Sequence, residues 1–431
     1  LPEDAQAFVK REPSSPSACV NRASASPFPL LPRRGLCPRL EADAVAIEIG
    51  LRRAVAMNGA TSFRSAHAAG TWARAAKDCL GRLGHAREGA NLGFLYVTDL
   101  LAPDLSSILA FLRETTGIEH WVGTSGIGVY ATGAQYFEEP AMAVMTGCFP
   151  SDSFAVVRTI ADDVAAFRAD YGKWLEEAGP GLGIIHGDPR NPRLPELIEE
   201  FADAASAFLV GGLTSSRGTF PQIAGEVTEG GLSGVLFSAR IPVAAGLTQG
   251  CLPVGPVHTV TEGLGNVVSS LDGENVLAVL AEDVGCEGLD ELADELSTVE
   301  AALPVPGSDT GDYVVRNLIG IDADRGLLVV GERLAVGDKL MFVRRGHDAA
   351  KADLRRMLGG LKRRLEGPPK GGVYVACVGR GPTIFGDGDG EPEIEIIRRE
   401  LGEFPLVGFF ANGEIAHSRL YGYTGVLALF L

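Results

Sequence analysis

The 431-residue sequence lacks the paired signatures that mark metal, disulfide or nucleotide chemistry. Its seven cysteines (Cys19, Cys37, Cys79, Cys148, Cys251, Cys286 and Cys377) are scattered and odd in number, with no CxxC pair. That is neither a zinc spacing nor a disulfide framework, and it points to a reducing compartment, so a cytoplasmic location is expected. The seven histidines form no HxH, HxxxH or HExxH pair, which leaves a catalytic zinc site unsupported. No segment matches GxxxxGK[ST], and the string Gly126-Ile-Gly128-Val-Tyr-Ala131 is not followed by a helical pattern, so no phosphate loop is expected. No apolar run reaches the roughly 20 residues of a membrane span, and no charged-then-apolar leader opens the chain. Basic charge is in deficit. The net charge of -17 argues against a nucleic-acid partner and disfavours docking on an anionic membrane surface, and with no apolar span no membrane insertion is expected.

What the chain does have is apolar content and repetition. Hydrophobic residues make up 46% and charged residues 22%, the balance of a globular protein with a real interior. The stretch from Arg11 to Arg39 is rich in Ser, Pro and Arg and holds no sustained period. It cannot bury enough apolar area to offset its ordering entropy. We therefore set residues 1–61 aside as a disordered or non-native extension and expect the fold to begin near Ser62.

Downstream, one β-α-β-β pattern recurs three times. The first copy runs through the strand Gly93–Val97, a helix from Asp104 to Thr115, the strand and turn Trp121–Gly128, and the strand Ala141–Cys148. The second has the strand Gly183–His186, a helix from Pro195 to Ser206, the strand Phe208–Val210 entering Gly211–Ser216, and the strand Gly234–Ser238. The third has Gly372–Cys377, a helix from Glu391 to Leu401, Leu406–Phe410, and Gly425–Phe430. A strand, a crossover helix and a second strand predict a parallel pair, and the glycine-containing return predicts an antiparallel neighbour. The fold class is thus α/β (α+β), with mixed sheets and helices on the outer faces in two domains, 62–303 and 304–431. Between copies two and three we expect a strand over 241–254, helices over 275–284 and 289–303, and a linker at Pro304–Ser308. Two strands at 326–330 and 339–343 and a basic, solvated helix over 349–365 complete the insert.

Ligands of open α/β sheets sit beyond the carboxyl ends of parallel strands. That rule selects Asp99 and Asp188 at the first-strand ends, and Thr124, Ser125, Thr214 and Ser215 on the glycine-rich turns. It adds Cys377, Arg380, Asn412 and Glu414 in the third copy. Arg380 offers a planar fork for a carboxylate or phosphate, and its structural alternative is an ion pair with an acid such as Glu414. Cys377 lacks an obvious base, His417 being the one histidine of its unit, so an inert core cysteine is expected. An axial haem ligand needs only one imidazole, and His120 and His186 flank core strands.

These residues also carry a resemblance. The segment Gly93 to Gly285 resembles the FIST N-terminal domain in Val122-Gly-Thr-Ser-Gly126, Gly211-Gly212, Leu252-Pro-Val-Gly255 with Val260-Thr261, and Leu271-Asp272-Gly273. The segment Tyr313 to Leu431 resembles the FIST C-terminal domain. The match there is Val315-Arg316-Asn317, Val336-Gly337-Asp338, Cys377-x-Gly-Arg-Gly381 and Gly408-Phe-Phe-Ala-Asn-Gly-Glu414. Relatives commonly place cysteine where Thr124 stands, which removes any thiol role for that turn. The resemblance implies a non-enzymatic sensory module that binds a small ligand, an amino acid or other small anion, with no cofactor. It implies output through a separate signalling protein. Some relatives bind haem, so a haem-based nitric-oxide sensor is the alternative, and a ligand-free adaptor is another.

Overall fold

The computed structural model describes residues 61–84, 89–286, 291–292, 295–296, 298–305, 313–381, 385 and 391–431. The expected extension, His85, and parts of the Pro304–Ser308 linker and of the Cys377–Gly386 loop lie outside the described residues. Among the described residues no helix is long and apolar enough to cross a membrane.

The three repeated units are present, each larger than the sequence pattern showed. In the first, the strand Leu92–Thr98 lies parallel to His120–Gly126 across the helix Leu105–Thr116. The closing strand Ala141–Cys148 pairs antiparallel with Leu92–Thr98. An additional strand, Ser62–Ala69, pairs with its far side and leads into the helix Trp72–Leu83. The second unit repeats this plan with Phe154–Ile160, Ala165–Ala178, Pro180–Gly187, Leu194–Ala205, Phe208–Leu213 and Leu232–Ser238. The third uses Val243–Gln249, His347–Lys362, Gly371–Cys377, Glu393–Leu401, Leu406–Ala411 and Thr424–Phe430.

Local chemistry explains the borders. The helix Leu105–Thr116 buries Leu105, Ile108, Leu109 and Leu112 at helical spacing and ends at Gly117, whose φ of 73° supplies a left-handed cap. The helix Val276–Val284 starts where Asn275 accepts a hydrogen bond from the Leu277 N–H at 3.0 Å.

The return after each second strand differs from expectation. It does not fold back on its own sheet but forms a hairpin that extends another. The strands Gly128–Ala131 and Ala134–Phe137 from the first unit extend the third unit's sheet through Leu406–Ala411. Gln222–Ala224 and Glu226–Thr228 from the second extend the first sheet through His120–Gly126. Glu414–His417 and Arg419–Tyr421 from the third extend the second sheet through Phe208–Leu213. The exchange is cyclic, and each sheet ends with six strands. The inner faces of all three meet in one core containing Phe94, Tyr96, Ile184, Phe237, Val375, Phe409 and Phe430. The helices cover the outer faces, each pair making its own cluster on one sheet.

Between Gln249 and His347 the third unit carries a nine-stranded sheet. Its two edges are one bent chain: Tyr313–Arg316 pairs with Val299–Pro304, and Leu318–Asp322 pairs with Leu327–Val330. The sheet therefore closes as a barrel, and the helix Val276–Val284 packs its buried face, Val276, Leu277, Val279 and Leu280, into the barrel's apolar cluster. The helix expected over 289–303 is only partly present: among the described residues, 291–292 and 295 are helical, and its second half is not. Val299–Pro304 is a strand paired with Lys339–Arg345, because burial of Val299 and Ala301 in the barrel outweighs the local helical pattern.

Candidate functional site

The parallel pairs are brought together by glycine at one register. Gly123 lies opposite Leu95, Gly211 opposite Ile185 and Gly408 opposite Tyr374. A Cβ on these glycines would stand 1.8, 1.8 and 1.7 Å from the facing carbonyl oxygen, so no other residue fits. The strands are thereby drawn close, and the turns that follow converge.

Thr124 and Thr214 meet at 2.6 Å between hydroxyls, with Thr124 donating to the Pro221 carbonyl at 2.9 Å. The Ser215 hydroxyl donates to the Phe410 carbonyl and accepts from the Ile127 N–H at 2.9 Å. Asn412 donates its N–H to the Leu213 carbonyl at 3.0 Å, and Glu414 pairs across the ladder with Gly212. Ser125 is buried, and its Oγ has no hydrogen-bond partner. Turns from all three units thus touch, but as packed interior.

Arg380 is fully buried and its donors are taken up within the protein. Its Nε and Nη2 donate to Glu393 Oε1 at 3.0 and 2.7 Å, and its Nη1 donates to the Tyr423 carbonyl at 3.3 Å. Tyr374 donates to the same oxygen at 2.9 Å, and Tyr130 to Oε2 at 2.8 Å. Burial opposes the guanidinium charge, but the Glu393 carboxylate outweighs it and raises the Arg380 pKa. The acid partner is Glu393, not Glu414, because the first turn of the helix Glu393–Leu401 is laid against the Arg380 turn. Glu414 is also buried, without a direct bond to Arg380 but near enough for the guanidinium to favour its charged form. Its Oε2 accepts the Thr424 N–H and hydroxyl at 3.0 and 2.7 Å, Oε1 has no partner, and burial pushes its carboxyl up to about 8. Burial also raises the Cys377 thiol well above its ordinary range, which makes it a poor nucleophile.

Asp99 and Asp188 end equivalent strands and are clamped alike. The Arg217 fork grips Asp99 at 2.9 and 2.8 Å and also reaches Glu138 at 3.5 Å. The Arg190 fork grips Asp188 at 3.0 and 2.6 Å and reaches Glu229 at 2.6 Å. For both aspartates burial would raise the pKa, but the guanidinium and N–H donors win and hold the carboxyls below their usual range. The Asp188 clamp borders open space. A depression of about 410 Å³ is lined by Ala161, Asp162, Asp188, Arg190, Asn191, Pro192 and Gly230. The Asp188 side chain is buried at its base, while that of Arg190 is 51% exposed and lies over the Phe220 ring at 5.0 Å.

The two histidines differ. His120 is exposed and sits edge-on to Phe154. His186 is fully buried between Tyr96 and Phe409, with Nε2 3.1 Å from the Tyr96 hydroxyl and Nδ1 without a partner. Burial lowers its pKa to about 3, so it is neutral at pH 7.

Several residues of these networks carried no motif. Glu393, Tyr130 and Tyr374 are invisible until the sheets assemble, and so is Tyr423. The Tyr423 backbone sits at φ 59°, a conformation rare for an aromatic residue, with its ring 5.0 Å from the Arg345 guanidinium. The quoted motif Val315-Arg316-Asn317 reaches the same place, since the Tyr423 hydroxyl donates to Asn317 Oδ1 at 3.3 Å.

Comparison with known proteins assigns these segments to a family. Residues 91–274 match the FIST N domain and residues 277–417 the FIST C domain. FIST domains are associated with sensing in signal transduction. An uncharacterized Mycobacterium tuberculosis protein is 32% identical over 341 residues, covering 75% of this chain and 87% of its own length. An uncharacterized Mycobacterium bovis protein is 30% identical over 365 residues, 79% of this chain and 89% of its own. The chain belongs to the FIST family.

Proposed function

We propose that this chain is a non-enzymatic sensory protein that binds a small molecule, an amino acid or other small anion, in the depression beside Asp188. It passes the signal to a separate protein. The observation that supports this reading is the half-exposed Arg190 fork at the carboxyl end of a parallel strand. It is shared between the buried Asp188 and the solvent-facing Glu229. An incoming carboxylate competes with Glu229 for the guanidinium without stripping Asp188 of its charge partner. Asp162, which also lines the depression, is the partner for the ammonium of an amino acid in this reading. Because Asp188 Oδ2 also accepts the Gly230 N–H at 2.8 Å, a shift of Arg190 reaches the loop before Leu232–Ser238. Arg380, which is already saturated by Glu393, is a framework residue in this reading.

The test is thermal unfolding and native mass spectrometry of the protein with single amino acids and small carboxylates. A ligand present at one hundred times its Kd should raise stability by about 2.7 kcal/mol. Arg190→Lys keeps a cation for Asp188 but loses the planar fork, and Asp162→Asn removes the ammonium partner. Each should weaken binding at least about tenfold while leaving the unliganded melting curve in place. Binding that is unchanged in both variants sinks this site. A Soret band in the purified protein that is lost in a His186 variant would transfer the reading to haem.

A further inference from the structure

The barrel holds a second group of titratable residues, remote in sequence from the Asp188 depression and unused by it. His258 lies on the strand His258–Leu264 between two carboxylates. Its Nδ1 is 2.7 Å from Asp272 Oδ2, and its Nε2 is 2.9 Å from Asp283 Oδ2. The imidazole is 10% exposed and Asp283 7%, whereas Asp272 is 49% exposed. A neutral imidazole has one N–H and can serve one of these carboxylates only. The other nitrogen would then set its lone pair against a carboxylate. The imidazolium donates to both.

Among the described residues, the charged groups of the adjoining strand and turn have partners of their own. Lys339, on the neighbouring strand, directs its ammonium at the Thr259 hydroxyl at 2.7 Å. Asp338 accepts the Ala335 N–H at 2.8 Å, and the apolar side of the imidazole faces Phe342 at 6.4 Å. Arg344, from the same strand as Lys339, donates to the Val284 carbonyl at 3.4 Å and pairs with Glu295 at 3.1 Å.

Three pieces of chain are joined through this one ring. Asp283 belongs to the helix Val276–Val284. Asp272 sits in a turn at φ 52° and also accepts the Thr259 N–H at 2.8 Å. Gly255 lies against Asp283 so closely that a Cβ there would be 2.1 Å from the carboxyl carbon. The turn holding Gly255 continues from Cys251–Pro253, which pairs with Val343–Arg345 beside Tyr423.

We propose that His258 is a proton-operated latch, tying the helix Val276–Val284 and the Gly255 turn to the barrel as an imidazolium and releasing them on deprotonation. Burial lowers the imidazole pKa, but the two carboxylates overcome it and raise it above 6.5. A raised histidine pKa means the latch is complete below pH 6.5 and is lost as pH rises through the folded value.

The experiment is an NMR titration of the His258 ring in the whole chain from pH 5 to 9. It is paired with hydrogen exchange of the amides of residues 276–284. The midpoint should lie above 6.5. Exchange of the helix should accelerate through that midpoint by several-fold more than the tenfold per pH unit expected from base catalysis. In His258→Gln, which cannot be charged, the faster exchange should be present at every pH. In Asp272→Asn, a half-exposed and tolerated change, the midpoint should move down toward 6.5. A midpoint at or below 6.5 in the parent chain, or one that Asp272→Asn does not move, overturns the proposal. Helix exchange indifferent to the ring's titration does so as well.

Discussion

Arg380 illustrates how the meaning of a side chain depends on its partners. From its loop it reads as an anion receptor, since a guanidinium among glycines is a frequent way to hold a carboxylate. In the fold the carboxylate is Glu393, thirteen residues away, and two tyrosine hydroxyls complete the network. Removing one member of a fully buried ion pair leaves the other charge without compensation. Arg380→Ala should therefore lower stability by about 3–5 kcal/mol in urea denaturation, with or without ligand. A loss below about 1 kcal/mol would mean that the guanidinium is free to serve a ligand after all. Arg190, by contrast, is half exposed and divided between two acids, so its loss should weigh less on folding than that of Arg380.

The strand pairs are the next level, and the three register glycines govern them. Parallel neighbours leave no room for a methyl group where Gly408 meets the Tyr374 carbonyl. Gly408→Ala should cost about 3 kcal/mol or more, because neither backbone can give way inside a sheet covered on both faces. The check is a comparison of melting curves with Gly172→Ala, a helical position where an added Cβ meets nothing within 4 Å. There the change should be neutral or slightly stabilising. Legibility varies in the same way among the elements. The helices Leu105–Thr116 and Leu194–Ala205 could be read from apolar spacing because each has one buried face. The strands Ser62–Ala69 and Val299–Pro304 could not, since their partners lie far along the chain, at Ala141–Cys148 and Lys339–Arg345.

The cyclic hairpin exchange makes the three sheets interdependent. Residues 62–303 carry the hairpin Gly128–Phe137 but not Leu406–Ala411, the strand it pairs with. They carry Phe208–Leu213 but lack the hairpin Glu414–Tyr421 that extends its sheet. The shared core would also lose Val375, Phe409, Val426 and Phe430. A fragment of residues 62–303 should therefore fail to give a cooperative thermal transition, while the whole chain gives one whose tryptophan and far-ultraviolet signals coincide. Cooperative melting of the fragment would show that the exchange contributes little. Interdependence also fits the proposed sensing role, since the strand that ends at Asp188 belongs to a sheet that two units build together.

The repeated strand–helix–strand pattern, the glycine-rich turns and the family motifs were legible along the chain, since each rests on the spacing of near neighbours. So was the position of Asp99 and Asp188 just past the ends of equivalent strands. The hairpin exchange, the closed barrel and the Arg380–Glu393 pair depend on contacts between distant segments. Tyr130 and Glu393 are separated by 263 positions, and no local pattern records such a contact. Whether a charged side chain is sealed in or faces solvent is settled by which sheets close over it. Burial of that kind arises only when the three units and the barrel assemble.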